Sequence, residues 1–318
     1  MNSTRATVSK ILTYSIVDGP GNRLVIFLQG CNFNCACCHN PHTIGECNHC
    51  GECVPACHVD ALSLVDGRIA YDPLACDHCD DCLEVCPISA NPMVRQCSVA
   101  EIVELAREHR PFLTGVTVSG GEPTKQLDFI IELFRAIKSD EELAELSCFI
   151  DSNGHLSASG WESVLSVTDG VMLDIKSFDN ATHQALTGVQ NAASLDSARL
   201  LHAAGKLFEL RFLLIPGSTD SDAELHDLIR FVKELGTGTR VRLNAFQHHG
   251  VKGEALGWEK MTKAGVDRVA ERLRAALKRL RSATAWKPGW ASSWPISRPV
   301  TPAPMSPGKC RTTPRVSV

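Results

Sequence analysis

Three cysteines constrain this chain more than any other feature. They stand as Cys31-x3-Cys35-x2-Cys38 within GCNFNCACCHN, directly after the apolar run Arg23–Gln29. Four cysteines saturate an iron–sulfur cube, which then only passes electrons, whereas three leave one iron open to a substrate or cofactor. Structural zinc wants four ligands, usually as two separated Cys-x2–4-Cys pairs, and this triplet is not such a set. Disulfides imply export, and the N-terminal MNSTRATVSK lacks the apolar core of a signal peptide. The spacing therefore predicts a 4Fe–4S cluster with one open iron, held by Cys31, Cys35 and Cys38.

The 318 residues contain 15 cysteines, which in a chain with no export signal points to a reducing cytoplasm and to metal. No run of 18 apolar residues predicts a membrane span. Charge is uneven along the chain. From Arg272 onward there are ten Lys/Arg and no Asp or Glu, leaving 22 basic against 36 acidic side chains before that point. A body that acidic argues against nucleic acid as the main partner.

Short apolar runs alternate with longer helical patterns, the signature of β/α units and a parallel sheet. Strands are expected at 23–29, 115–119, 147–151, 170–175, 209–215 and 240–246. Helices are expected near 99–109, 126–139, 158–165, 193–204, 221–234 and 262–281. Right-handed crossovers would make this α/β chain a partial (β/α)6 barrel. A doubly wound open sheet fits the same periodicity. The barrel is assigned residues 1–45 and 93–281.

Residues 46–92 interrupt the pattern and carry eight cysteines. They read Cys47-x2-Cys50-x2-Cys53-x3-Cys57 and then Cys76-x2-Cys79-x2-Cys82-x3-Cys86-Pro87. This is the two-cluster bacterial ferredoxin run, in which the fourth cysteine of each run ligates the other cluster. Cys47, Cys50, Cys53 and Cys86 should hold one cluster, and Cys76, Cys79, Cys82 and Cys57 the second. His58 replaces the usual proline after the first run. Cys148 reads as a small core residue, Cys97 and Cys310 have no evident partner, and Cys37, between two expected ligands, is the one competitor in the open-site assignment.

After the second strand comes Ser119-Gly-Gly-Glu-Pro123. Paired glycines let backbone approach a ligand, and a carboxylate beside them can receive an ammonium group; a tight βα turn explains them equally well. Asp174 and Lys176 fit an ordinary alternating pair on one face of a strand, Asp151-Ser-Asn-Gly154 fits a simple turn, and Arg211 fits a structural ion pair. All of these fall at carboxyl ends of strands, where barrel enzymes place chemistry.

Together these motifs resemble the radical S-adenosylmethionine enzymes that activate glycyl radical enzymes. The resemblance rests on Asp18-Gly-Pro-Gly21, Cys31-x3-Cys35-x2-Cys38-His39-Asn40-Pro41, Gly120-Gly-Glu122-Pro123, Asp151-Ser-Asn-Gly154, Asp174-Ile-Lys176 and Arg211-Phe-Leu-Leu-Ile-Pro-Gly217. The insert fits the subgroup with extra clusters. Arg242-Leu-Asn-Ala-Phe246, His249-Gly250 and Gly253-Glu-Ala255 are most similar to the YjjW-like members. The resemblance implies three 4Fe–4S clusters and S-adenosylmethionine, whose amino and carboxylate groups take the open iron at Cys31, Cys35 and Cys38. Gly120, Gly121 and Glu122 would meet the methionyl ammonium. Asp151, Asp174 and Lys176 would lie near the ribose and carboxylate, with a monovalent cation beside them in related activases. Arg211 and Leu213 would contact the cofactor, Leu213 near the adenine. Asp18 and its glycines would face the glycine loop of a partner glycyl radical enzyme. The implied activity is that of an anaerobic oxidoreductase supplied with electrons by flavodoxin or ferredoxin, with no nucleic acid or membrane partner. This chain carries Cys37 where the superfamily favours an aromatic residue, and Gln247 where formate-lyase activases have histidine.

The segment 282–318 carries seven of the chain's 16 prolines and three of its five tryptophans. Such composition continues neither strand nor helix and predicts disorder; it reads as an atypical tail, such as a frameshifted end would produce. Two rival functions are a radical S-adenosylmethionine enzyme acting on a small molecule and a polyferredoxin-type electron carrier. The carrier explains the insert but neither the three-ligand site nor Gly120-Gly-Glu122.

Overall fold

The computed structural model describes residues 4–281, so the expectations for 282–318 and for Cys310 lie outside the described residues. In chain order the strands and helices are β1 (Arg5–Ser15), β2 (Arg23–Leu28), β3 (Leu62–Val65), β4 (Arg68–Tyr71), α1 (Asp81–Glu84), β5 (Arg95–Ser98), α2 (Val99–Glu108), β6 (Gly115–Gly120) and α3 (Leu127–Ser139). There follow β7 (Ser147–Ser152), α4 (Ala158–Leu165), β8 (Gly170–Ile175), α5 (Asn180–Thr187), α6 (Ala192–Ala203), β9 (Leu207–Leu214), α7 (Asp222–Leu235), β10 (Val241–Ala245) and α8 (Lys263–Arg281). No helix among the described residues is long and apolar enough to cross a membrane.

The main sheet has eight strands in the order β10-β9-β8-β7-β6-β2-β1-β5. Six of them, β2 and β6 to β10, are parallel neighbours in chain order. A doubly wound sheet reverses its order at a switch point, and this one never does. The sheet also curls. Strands β1 and β10 lie six places apart, about 29 Å in a flat sheet. Yet the carbonyl of Val17, two residues past β1, accepts a hydrogen bond from Arg242 of β10 at 3.2 Å. The periodicity left barrel and open sheet equal; strand order and curvature decide for a mostly parallel, partly closed α/β barrel.

Alternation along the strands separates the two faces. Outward residues Leu24, Ile26, Val116, Val118, Ile150, Val171, Leu173, Leu210 and Phe212 pack under the helices in one core. Helix α3 buries Phe129, Ile130, Leu133, Phe134 and Ile137 against it, and α7 buries Leu225, Leu228, Phe231, Val232 and Leu235, the i, i+3, i+4 stripe of an amphipathic helix. Ser98, Ser157, Asp179 and Ser221 cap α2, α4, α5 and α7 by accepting a backbone N–H. Cys148 is fully buried in this core, and Cys97 is buried there too.

Three elements of the barrel escape the sequence reading. Strand β1 precedes the expected first strand and pairs antiparallel with β2, but register shifts at Val8–Lys10 and Leu12–Ser15 break its alternation. Strand β5, Arg-Gln-Cys-Ser, has no apolar pattern and exists through pairing with β1. Helix α5 has only three buried residues, His183, Leu186 and Thr187. Within the insert, β3 and β4 form a hairpin whose turn residues Asp66 and Gly67 both have positive φ (49° and 72°), as a type I′ turn requires. The insert's own apolar cluster is small: Cys53, Leu62, Cys82 and Leu83 are buried in it.

Candidate active site

Inward-facing residues at the carboxyl ends of the parallel strands converge on a cavity of about 460 Å³, within the range of small-molecule sites. The same period of two that sends Leu210 and Phe212 into the core turns Arg211 and Leu213 to the cavity. Ser119 from β6, Asp151 from β7, Asp174 with Lys176 from β8, and Asn244 from β10 join them. A larger groove, about 830 Å³ between α2 and α3, contains none of the expected site residues.

The thiols of Cys31, Cys35 and Cys38 form the opposite wall. Their loop is held on both sides by backbone. Cys31 N–H donates to Ile44 O at 2.9 Å, Asn34 N–H to Thr187 O at 3.0 Å, and Ala36 N–H to Leu186 O at 2.9 Å. The otherwise unpredicted α5 thus anchors the loop. Burial pushes the Cys31 thiol up to about 11 and raises Cys35, Cys37 and Cys38 as well. Crowded, buried thiols stay neutral on their own, whereas a bound metal deprotonates a coordinating thiol outright. Beside them His39 Nε2 is buried without a partner among the described residues. Clustered thiols next to an unused polar atom fit a metal–sulfur group with a further ligand. Cys37 also borders the cavity, while packing with Leu186, Ile215, Phe246, Val251 and Ala255.

Gly120 and Gly121 line the cavity because only glycine fits there. Gly120 has φ +129°, and a Cβ on it would collide with the Leu28 backbone. A Cβ on Gly121 would collide with the carbonyls of Gly30 and Thr43. The turn is sewn to the cysteine loop by Gly121 N–H to Leu28 O (3.0 Å) and Glu122 N–H to Gly30 O (2.8 Å).

Glu122 departs from expectation. Its carboxylate does not line the cavity and is completely buried. It accepts from Thr124 N–H (3.0 Å), Thr124 Oγ1 (2.6 Å), Ser152 Oγ (2.9 Å) and Asn153 N–H (2.7 Å). A carboxylate offers about four acceptor sites, so the protein's own donors use nearly all of them. Burial nevertheless raises its carboxyl above the usual range. Its role here is to tie the glycine turn to the Ser152–Asn153 segment, and Asn153 Nδ2 in turn reaches Asn32 Oδ1 at 2.8 Å.

The charged residues form a chain across the sheet. Arg211 Nη1 lies 3.0 Å from Asp151 Oδ1 and its Nε 3.0 Å from Glu209 Oε1; Lys176 Nζ lies 2.6 Å from Asp174 Oδ2. Burial lifts the Asp151 carboxyl to about 6, against the pull of Arg211. Asp174 stays below the usual range: burial opposes this, but Lys176 and Arg211 prevail. A cavity built this way presents cationic and anionic groups side by side, suited to a zwitterionic ligand. Glu209, Arg242 and Asn244 were not foreseen. Glu209 and Asn244 were accessible from strand alternation, but Arg242's contact to Val17 depends on curvature.

Asp18 sits on the loop that enters the barrel. Thr117 Oγ1 donates to Asp18 O at 2.7 Å, and the fully buried Arg23 donates to Thr117 Oγ1 at 2.6 Å and Pro20 O at 3.1 Å.

In the insert, two small cavities collect the remaining cysteines. Cys47, Cys50, Cys53 and Cys86 line one, and Cys57, Cys76, Cys79 and Cys82 line the other. In both cavities the fourth cysteine of one run lies beside the first three of the other.

Comparison with known proteins agrees with this architecture. The profile of the Radical SAM superfamily matches residues 25–229, well over half of the chain. The trans-4-hydroxy-L-proline dehydratase activating enzyme of Clostridioides difficile is 34% identical over 239 residues, covering 70% of this chain and 78% of the relative. The choline trimethylamine-lyase activating enzyme of Oleidesulfovibrio alaskensis is 29% identical, covering 81% and 89%. Escherichia coli pyruvate formate-lyase 1-activating enzyme is 28% identical, covering 76% and 82%. Among solved structures, Streptococcus suis SuiB bound to its precursor peptide SuiA superposes with a TM-score of 0.53 at 16% identity, covering 85% of this chain and 48% of SuiB; that likeness shows the fold. Membership implies a 4Fe–4S cluster and S-adenosylmethionine. The chain belongs to the radical SAM superfamily and is a relative of the enzymes that activate glycyl radical enzymes.

Proposed function

We propose that this chain activates a partner glycyl radical enzyme by removing one α-hydrogen from a glycine. The observation that carries the reading is one cavity in which Cys31, Cys35 and Cys38 face Gly120, Gly121, Asp151, Asp174, Lys176, Arg211 and Leu213. In this reading the three cysteines hold the open-site cluster. Held there, the cluster and S-adenosylmethionine would together supply one-electron, reductively started radical chemistry able to abstract a hydrogen atom. The chain's own residues bind and orient. Gly120 and Gly121 let an amino-acid headgroup approach backbone, Lys176 and Arg211 offset its carboxylate, and Asp151 and Asp174 meet its hydroxyl and ammonium donors. Leu213 offers an apolar surface for a base. A monovalent cation beside Asp151 or Asp174 would have to displace Arg211 or Lys176.

The eight insert cysteines would hold two further 4Fe–4S clusters that relay electrons from a flavodoxin or ferredoxin in a reducing cytoplasm. The crossed cysteine cavities support this, as does the insert's scant apolar core. The activating-enzyme relatives and the partly open barrel, which leaves room for a protein loop, favour a glycyl radical enzyme over a small substrate. The test is anaerobic incubation with S-adenosylmethionine, reductant and a candidate glycyl radical enzyme. A glycyl radical signal by EPR is expected. Formation of 5′-deoxyadenosine with no glycyl radical in any candidate would favour a small-molecule substrate.

A further inference from the structure

The loop after β10 touches three parts of the molecule with three consecutive residues. Gly250 (φ +72°) packs so closely on the His39 carbonyl that no Cβ fits. Val251 is buried with Cys37, Leu186 and Phe246, beside Cys35. Lys252 then points to the insert: its Nζ donates to Leu83 O at 2.9 Å, across 169 residues of sequence, and lies 3.3 Å from Glu84 Oε1. Leu83 and Glu84 end α1, between Cys82 and Cys86.

Among the described residues, the other hydrogen bonds and ion pairs between insert and barrel are local to the ends of the insert. Gly45 N–H donates to Ser89 O at 3.0 Å, Lys125 Nζ lies 2.8 Å from Glu46 Oε1, and Asn91 Nδ2 donates to Ser9 Oγ at 2.9 Å. None of these reaches α1. Lys252 therefore joins the middle of the second cysteine run to the loop that walls the Cys35–Cys38 pocket. Helix α1 has four residues, and its Asp80 N-cap makes no side-chain capping bond. So short a helix does not hold itself in water, and an outside donor to its last carbonyls stabilises both its fold and its place.

We infer that Lys252 is a positioning residue that fixes the second cysteine run of the insert relative to the barrel's cysteine loop. The inference rests on the reading of the insert as an electron relay. Electron transfer between two centres falls steeply with their separation, so a tether at their seam sets the relay rate without touching substrate, in the way a supporting contact sets the precision of any site. The anion Glu84 is matched by the cation Lys252, so arginine preserves the tie and methionine, similar in length, removes only the charge and the donor.

The experiment uses the full chain, reconstituted anaerobically, as wild type, Lys252→Met, Lys252→Arg and Cys79→Ala. S-adenosylmethionine cleavage is driven in parallel by dithionite, a small reductant, and by reduced flavodoxin. Hydrogen exchange at the 83–85 amides is followed beside it. For Lys252→Met we expect faster exchange at those amides, dithionite-driven cleavage within about twofold of wild type, and flavodoxin-driven cleavage down about tenfold. Lys252→Arg should recover most of the loss. A Lys252→Met protein that loses both rates equally, or neither, overturns the inference. If Cys79→Ala also retains its full flavodoxin-driven rate, the relay reading itself falls; if only Cys79→Ala loses it, the relay stands and Lys252 is not its positioning residue.

Discussion

Arg211 on β9 and Asp151 on β7 meet at 3.0 Å across the intervening strand β8, and the same guanidinium holds Glu209 at 3.0 Å. One cation thus serves two largely enclosed carboxylates, while the nearby Asp174 has Lys176 to itself. Breaking a buried pair leaves an uncompensated charge and costs far more than the pair contributes, so these residues hold one another in the cavity wall.

Asp151 carries a pH signature. Its carboxyl is lifted by burial from 3.8 to about 6, so the folded protein binds this proton more tightly than the unfolded chain does. The associated stability is present below pH 4 and lost as pH rises through 6, by up to about 3 kcal/mol. Asp151→Asn should remove that term. Denaturant unfolding of the metal-free protein under anaerobic conditions should show the variant gaining on wild type between pH 4 and 7, while its binding of S-adenosylmethionine weakens. A pH-independent stability difference would rule this out.

Gly121→Ala should damage both stability and binding. The added methyl meets two carbonyls, of Gly30 and Thr43, which are backbone and cannot rotate aside. Overpacking of this kind costs about 1–3 kcal/mol. Thermal unfolding should drop accordingly, and S-adenosylmethionine cleavage should fall by more than tenfold because the cysteine loop and glycine turn move apart. Near-wild-type cleavage would mean that the turn has room to shift.

The insert cysteines should behave as two crossed sets. Cys53→Ser and Cys86→Ser border one cavity, and Cys57→Ser borders the other. Each single variant should lose about four irons of about twelve on reconstitution. The Cys53/Cys86 double variant should lose no more than either single, while Cys53/Cys57 should lose about eight. Additive losses within the first pair would refute the crossed arrangement.

Ser197→Ala tests the support of the Asn153–Gly154 turn. Ser197 Oγ accepts from the fully buried Trp161 Nε1 at 2.8 Å and donates to Gly154 O at 2.5 Å. Its removal leaves a buried indole N–H without a partner, at a cost of about 1–3 kcal/mol. The melting temperature should fall by several degrees, with a red-shifted tryptophan emission if water enters. Unchanged melting would show that another acceptor replaces the hydroxyl.

Much of this fold is written locally. The six parallel strands fall within two residues of their apolar runs, because their outward faces pack into one core under the helices. Strand β5 was invisible for the opposite reason: Arg95-Gln-Cys-Ser98 has no pattern of its own and forms only when Arg5–Val8 offers a partner. The grouping of the cysteine triplet and of the two crossed insert sets was legible because Cys-x2–3-Cys spacing is a short-range property. Glu122 shows the limit of the same local logic. Its place after two glycines pointed to a ligand, yet four donors from Thr124, Ser152 and Asn153 take its carboxylate.

By itself the sequence determined which chemistry is available: thiols at cluster spacing, glycines where backbone must come close, and acidic and basic residues alternating on strands. Only the tertiary structure decided which of those groups face the cavity and which are consumed in holding it together. A side chain's neighbours on adjacent strands come from tens of residues away, and the curvature that brings Val17 to Arg242 is a property of the whole sheet. Asp151, partly buried, and Glu122, fully buried, are both carboxylates beside a turn. The first opens on the cavity and the second is spent on backbone, a distinction set by β7 lying next to β6.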